Sequence, residues 1–238
     1  MKLIVAGATG FVASEVIRQS LRRPEITSVV ALARKPVPPP PHAESAEETS
    51  KLKSVVVEDY GEYPDDVKKE FAGADACIWT VAITPSRSSG MDWDYVKRIC
   101  QDCTLVGLKA IRDSGPYKPF RFVYMSGALA ERDQTKTPRF KPEYSLMRGE
   151  TETQVLAFAS EHQEDIEASI VRPGLITAPG EIKRNLMAFA VKTIISAPTI
   201  SVAEVAAAML DQAVSGIEKD TLDNGDLVRI GQRALAEP

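Results

Sequence analysis

In the stretch "YSLMRGE", Tyr144 and Arg148 stand four residues apart. On a helix that spacing puts both side chains on one face. A cation beside a phenol favours the phenolate and lowers its pKa. Such a tyrosine can give a proton to a carbonyl oxygen or take one from an alcohol. The cation can also hold the sugar of a bound nucleotide. Taken alone, a Tyr-x-x-x-Arg pair also describes an ordinary solvated helix start, so its meaning depends on the rest of the chain.

A second chemical feature stands near residue 1. "GATGFVA" joins the apolar run "KLIVA" to a pattern in which Phe11, Val12, Val16, Ile17 and Leu21 recur at helical spacing. Gly7 suits a tight turn off a strand, and Gly10 suits close approach of a pyrophosphate to the backbone. The turn and helix start, through Thr9, Phe11 and Val12, supply unpaired N–H groups and positive dipole potential. Ala13 replaces the third glycine of a dinucleotide fingerprint, where only helix–strand packing is at stake and alanine is tolerated.

The second apolar run, "SVVALA", indicates which nucleotide fits. An NAD site usually carries an acid near this strand's end, but here Arg34 and Lys35 follow. Two cations suit a 2′-phosphate, so NADP(H) is expected over NAD(H). Asp59, after a third run, is expected to reach the adenine amino group. Thr80, Val81 and Ala82, after a fourth, are expected to pass the cofactor's middle, because ligands of such sheets lie at the strands' carboxyl ends.

These residues need a scaffold, and the chain supplies an alternating one. Buried strands are read at "KLIVAG", 28–33, 54–60, 75–84, 120–127 and 167–177. Helices are read between them, notably over 64–74, 92–115 and 144–162, with Gly115 closing the second. This is an α/β pattern: a doubly wound parallel sheet with right-handed crossovers. The tract 34–51, with four successive prolines, reads as an extended surface loop. Beyond residue 180 the reading is a helix within 182–194, an amphipathic helix capped by Ser201, and a turn with a closing strand over 223–230. No linker divides the chain. The expectation is one domain over 1–238, with a nucleotide-binding core to residue 180 and a substrate-capping segment from 181 to 238.

Bulk properties narrow the function further. A chain of 238 residues with 44% hydrophobic and 26% charged residues is ordinary for a soluble globular protein. A net charge of −4 gives no reason to expect nucleic-acid or anionic-membrane partners. The three cysteines form no disulfide framework, and "CQDC" is read as a helical pair rather than a metal site, so no metal is expected. "MKLIVAGA" is too short in its apolar part for a signal peptide. A cytoplasmic protein with a small-molecule substrate is expected, and a homodimer is allowed.

Taken together, "GATGFVASEV", "DWDYVKRICQDC", "FRFVYMSGALA", "YSLMRGETE" and "SIVRPGLI" run in order from the first residues to about 180. This series resembles the short-chain dehydrogenase/reductase superfamily. It is most similar to the atypical members, such as the Tat-interactive-protein-like and NmrA-like NAD(P)H-binding proteins. The resemblance implies a Rossmann fold, an NAD(P) cofactor and hydride transfer to a carbonyl. It implies Tyr144 as the catalytic tyrosine, Arg148 in place of the family's lysine, and Pro173 among the cofactor-lining residues. Arginine keeps the charge but cannot relay a proton. The family's substrate-binding serine falls on Gly127, with the hydroxyl moved one residue to Ser126. A one-residue shift along a strand turns a side chain to the other face. The expected function is an NADP-dependent oxidoreductase acting on a small carbonyl or activated double bond. The alternatives are a non-catalytic NADP-binding regulator or scaffold, and a non-redox isomerase, lyase or cyclase reusing the pocket.

Overall fold

The computed structural model describes residues 1–40, 45–178 and 198–236. Strands β1 (Lys2–Ala6), β2 (Ser28–Ala33), β3 (Leu52–Val56), β4 (Ala76–Trp79), β5 (Phe120–Met125) and β6 (Ile166–Val171) alternate with helices. They form a parallel sheet in the order β3-β2-β1-β4-β5-β6, closed at its edge by the two-residue strand β9 (Thr221–Leu222). The order reverses at β1, the topological switch point where a Rossmann sheet opens its ligand crevice. β7 (Leu175–Thr177) and β8 (Thr199–Ser201) pair in a separate small sheet.

The continuous apolar strands arise because both faces are covered. Alternate residues serve different cores: Leu3 and Val5 pack into one, Ile4 and Ala6 into the other. The first core holds α1 (Phe11–Arg22) and α8 (Val202–Val214), with α9 (Asn224–Ala236) lying on α8. The second holds α3 (Asp65–Phe71), α6 (Cys103–Asp113) and α7 (Pro142–Glu161). The short α2 (Ala46–Ser50) and α4 (Pro85–Ser88) lie in connections. Helix α5 (Trp93–Lys97) runs through a wider π turn, Arg98–Asp102, directly into α6.

Several expected elements differ in detail. The third strand ends at Val56 rather than at residue 60, because Asp59 accepts from Gly61 N at 2.7 Å and turns the chain. The sixth strand does not run to residue 177. Pro173 cannot donate to a ladder, and residues 175–177 pair with β8 instead. The tract 34–51 is not wholly extended, since Ser45 caps Glu48 N and starts α2. Residues 224–230 belong to helix α9, not to a strand. Leu227, Ile230 and Gly231 are buried at helical spacing, and the closing strand lies just before, at 221–222. Ser201 caps α8 as expected, with Glu204 completing a reciprocal capping box. The helix read within 182–194 lies outside the described residues.

Candidate functional site

The turn after β1 is built around a backbone that only glycine takes easily. Gly7 has φ +81°, and a β-carbon there would lie 2.7 Å from Thr80 Oγ1. Gly7 N and Ala8 N both donate to Leu32 O, at 3.0 and 3.1 Å, which ties the turn to the end of β2. Gly10 is the N-cap of α1 and makes no side-chain cap hydrogen bond, and the first turn holds no acid. A β-carbon on Gly10 would stand 3.0 Å from Gly7 O. The pair leaves a cradle that side chains would fill, at the positive end of a helix. Thr9 is exposed beside it, Phe11 is partly buried and Val12 is buried. Ala13 is fully buried in the first core, so its extra methyl packs inward, away from the turn. The residues present therefore fit a pyrophosphate.

Arg34 and Lys35 follow the last residue of β2 and are both exposed. Neither has an ion-pair partner among the described residues. A residue absent from the sequence reading lies beside them. Tyr60 is buried, donates to Leu32 O at 3.0 Å, and accepts from Gly7 N at 3.2 Å. Burial pushes its phenol up to about 12, against the pull of Gly7 N–H and the charge of Arg34. Its only signal in the sequence is its place next to Asp59. Asp59 itself is engaged: Arg98 Nη2 reaches its Oδ2 at 2.6 Å, and these contacts hold its carboxyl below the usual range. Thr80 supports the turn from below, donating Oγ1 to Ala6 O at 2.8 Å. Val81 is buried in the second core, and Ala82 leads into a third cluster.

That third cluster surrounds Tyr144. Ala82, Ile83 and Trp93 pack with Val96, Cys100, Met147 and Tyr144. Helix α7 begins after Lys141, whose φ of +44° is the one positive value at a non-glycine among the described residues. Lys141 Nζ is anchored to Ser89 Oγ in the loop after β4. Tyr144 donates its hydroxyl to Ile83 O at 2.8 Å. The expected lowering of its pKa does not occur. Burial raises it to about 12 and outweighs the opposing charge of Arg148.

Arg148 is 4% exposed and turned into the protein. Its Nη2 donates to Met125 O at 2.6 Å, and its guanidinium carbon lies 4.9 Å from the Tyr124 ring centre. Burial opposes its charge, yet Tyr124, Tyr144, Cys100 and Glu152 hold it above the usual arginine value. Nη1 is buried without a hydrogen-bond partner among the described residues, and so are Tyr124 OH and Ser126 Oγ. A β-carbon at Gly127 would meet nothing within 4 Å. The vacant serine position therefore has room, whereas the hydroxyl one residue earlier is sealed from solvent. Pro173 is buried, and its carbonyl accepts from Ala128 N at 3.0 Å, joining the loops after β5 and β6.

Two further residues that sequence reading missed hold this region. Glu152, fully buried one turn beyond Arg148, accepts from Arg132 Nε at 2.8 Å and from Arg172. Arg132 also donates to Thr221 Oγ1 at 2.8 Å. The carboxylate thus fastens α7 to the loop after β5 and to the end of β6. Gly149 lets α7 touch that loop, since a β-carbon there would lie 1.8 Å from Glu131 O. The only sequence signal was a charged residue on the α7 face that also carries Arg148. The cysteines of "CQDC" are buried on one helix: Ile83 N donates to Cys100 Sγ at 3.2 Å, and burial lifts the Cys103 thiol to about 11. Among the described residues, no group of three or more His, Cys, Asp or Glu could hold a metal ion.

Comparison with known proteins agrees with this geometry. A family model described as NAD(P)H-binding matches residues 7–215. The chain belongs to this NAD(P)H-binding family. Its parallel sheet with helices on both faces is a Rossmann fold. It is 28% identical over 126 residues to the leucinostatins biosynthesis cluster protein T of Purpureocillium lilacinum, a match covering 53% of this chain and 42% of that protein. Among solved structures, vestitone reductase from alfalfa (Medicago sativa L.) superposes with a TM-score of 0.69 at 19% identity, covering 93% of this chain and 76% of that one. A carbonyl reductase from Pseudomonas aeruginosa PAO1 gives a TM-score of 0.67 at 17% identity, covering 94% and 97%. At such identities the structures speak for the fold.

Proposed function

We propose that this member of the NAD(P)H-binding family is an NADP-dependent oxidoreductase that reduces a small carbonyl or activated double bond. The observation that carries the reading is the pairing of the Gly7–Gly10 cradle with Arg34 and Lys35, exposed at the end of β2 and without an ion-pair partner among the described residues. Exposed cations at this place are available to a 2′-phosphate, and no acid stands where NAD would need one. When bound, NADPH supplies a hydride.

The chain's own contribution centres on Tyr144. A phenol at about 12 is protonated at neutral pH, so it donates a proton more readily than it removes one. Arg148 acts from behind, fixing α7 to the end of β5 through Met125 O, rather than reaching a ribose. The reductases among the structural neighbours support the same class of reaction. No helix among the described residues is long and apolar enough to cross a membrane, and the acidic balance suits a small-molecule enzyme of the cytoplasm.

A second reading, a non-catalytic NADP-binding regulator, is favoured by one observation. Tyr144, Arg148 and Ser126 all have their polar groups directed to backbone or sealed inside. Titration with NADPH and NADH, followed by turnover on a carbonyl panel, separates the two. The reductase reading expects tighter NADPH binding, weakened selectively by Arg34→Ala, and a rate loss of about 10²-fold or more in Tyr144→Phe. Tight NADPH binding with no turnover in either protein leaves the regulator reading standing.

A further inference from the structure

The nucleoside end of the site contains a second arginine, and its setting differs from that of Arg34. We propose that the Arg98 guanidinium is a stacking platform for the adenine ring, held flat by Asp59 and Gly61. The proposal rests on the reading of this crevice as a dinucleotide site.

Four observations support it. Arg98 Nη2 is bound to Asp59 Oδ2 at 2.6 Å, which fixes one edge of the planar group. A β-carbon on Gly61 would lie 2.9 Å from Nη2 and 3.6 Å from Cζ, so the guanidinium rests against bare backbone. Gly61 N in turn donates to Asp59 Oδ1 at 2.7 Å, closing a three-residue bracket. The side chains of Arg98 and Asp59 keep 43% and 38% exposure, so the bracket remains open to a ligand.

Position follows from the next residue along. Tyr60 ties this segment to Gly7 N and Leu32 O, which sets the bracket beside the glycine turn and the end of β2. The nucleoside half of a dinucleotide lies there in a sheet of this order. Charge then separates two roles for the cation. Arg98 is neutralised by Asp59 and is a poor phosphate clamp, whereas Arg34 and Lys35 have no ion-pair partner among the described residues and suit a phosphate. A planar guanidinium stacks on an aromatic face without needing net charge. Asp59 keeps lone pairs for the adenine amino group on oxygens that each accept one bond here.

The test is calorimetric titration of the full chain with NADPH and with NADH, for the wild type, Arg98→Ala, Arg98→Lys and Gly61→Ala. Thermal unfolding of each variant reports that it is folded. A platform predicts that Arg98→Ala weakens both dinucleotides by the same factor, roughly three- to tenfold. Arg98→Lys should not rescue, because an ammonium has no plane. Gly61→Ala should weaken both as well, since it displaces the guanidinium without changing charge. Loss confined to NADPH would show a phosphate contact and overturn the proposal. Unchanged binding by a folded Arg98→Ala protein would overturn it too, leaving the dinucleotide reading intact. A wild type that binds neither dinucleotide removes both together.

Discussion

Replacing Gly7 by alanine should damage the fold and the cofactor site at once. An L-residue at φ +81° costs about 1–2 kcal/mol before any contact is counted. The new methyl would sit 2.7 Å from Thr80 Oγ1 and 3.2 Å from Thr80 C and Val81 N. Thr80 cannot simply swing aside, because its hydroxyl is bound to Ala6 O at 2.8 Å and two of the three close atoms are backbone. Overpacking of this kind adds about 1–3 kcal/mol. The sum, about 2–5 kcal/mol, is a large part of an ordinary domain's stability. Urea unfolding should show a lower midpoint with an unchanged slope, and NADPH affinity should fall at least about tenfold as the cradle shifts. The control is Ala13→Gly, which removes one buried methyl from α1 and should cost only about 1–2 kcal/mol while NADPH binding persists. A Gly7→Ala protein with wild-type midpoint and wild-type NADPH affinity would refute the reasoning.

Gly127→Ser should fold normally, within about 0.5 kcal/mol, because its β-carbon meets nothing within 4 Å. If the missing hydroxyl limits reduction, the rate should rise by up to about 10²-fold on a carbonyl panel, and an unchanged rate would show that it does not. Glu152→Ala strips the shared carboxylate from Arg132 and Arg172, whose side chains are 32% and 23% exposed, and should cost about 2–3 kcal/mol in urea unfolding. A cost below about 0.5 kcal/mol would mean the clamp is dispensable. Tyr60 and Tyr144 are both raised to about 12, so the folded state keeps protons that the unfolded chain releases above its ordinary value near 10. Their contribution is complete below pH 10 and is lost as pH rises towards 12. Urea midpoints should therefore fall across that window and fall less steeply in Tyr144→Phe; a flat profile would contradict the burial of both phenols.

The alternating sheet was legible because its signals are local. Runs such as "KLIVA" and "SVVALA" carry their signal in a short continuous apolar stretch, and the strands appeared where those runs stand. Legibility failed where a partner elsewhere decides. Residues 175–177 continue the apolar pattern of β6, but β8 captures them after Pro173 ends the ladder. "DNGDLVRI" reads as a turn and a closing strand over so few residues, but burial of Leu227 and Ile230 against α8 makes it a helix.

The same division runs through the site. Sequence alone determined the cradle, since a left-handed turn and a close helix start demand glycines at fixed places, and it determined that cations rather than an acid follow β2. Only the tertiary structure decided what surrounds Tyr144, Arg148 and Ser126. Four-residue spacing put the tyrosine and the arginine on one helix, but the electrostatic outcome depended on burial. Desolvation outweighed the neighbouring charge and left the phenol protonated, while Arg148 turned to a carbonyl of β5 and away from solvent. Spacing along a chain fixes which groups are neighbours. The surrounding dielectric and the reach of other backbones fix which charge state those neighbours hold, and both are properties of the packed molecule.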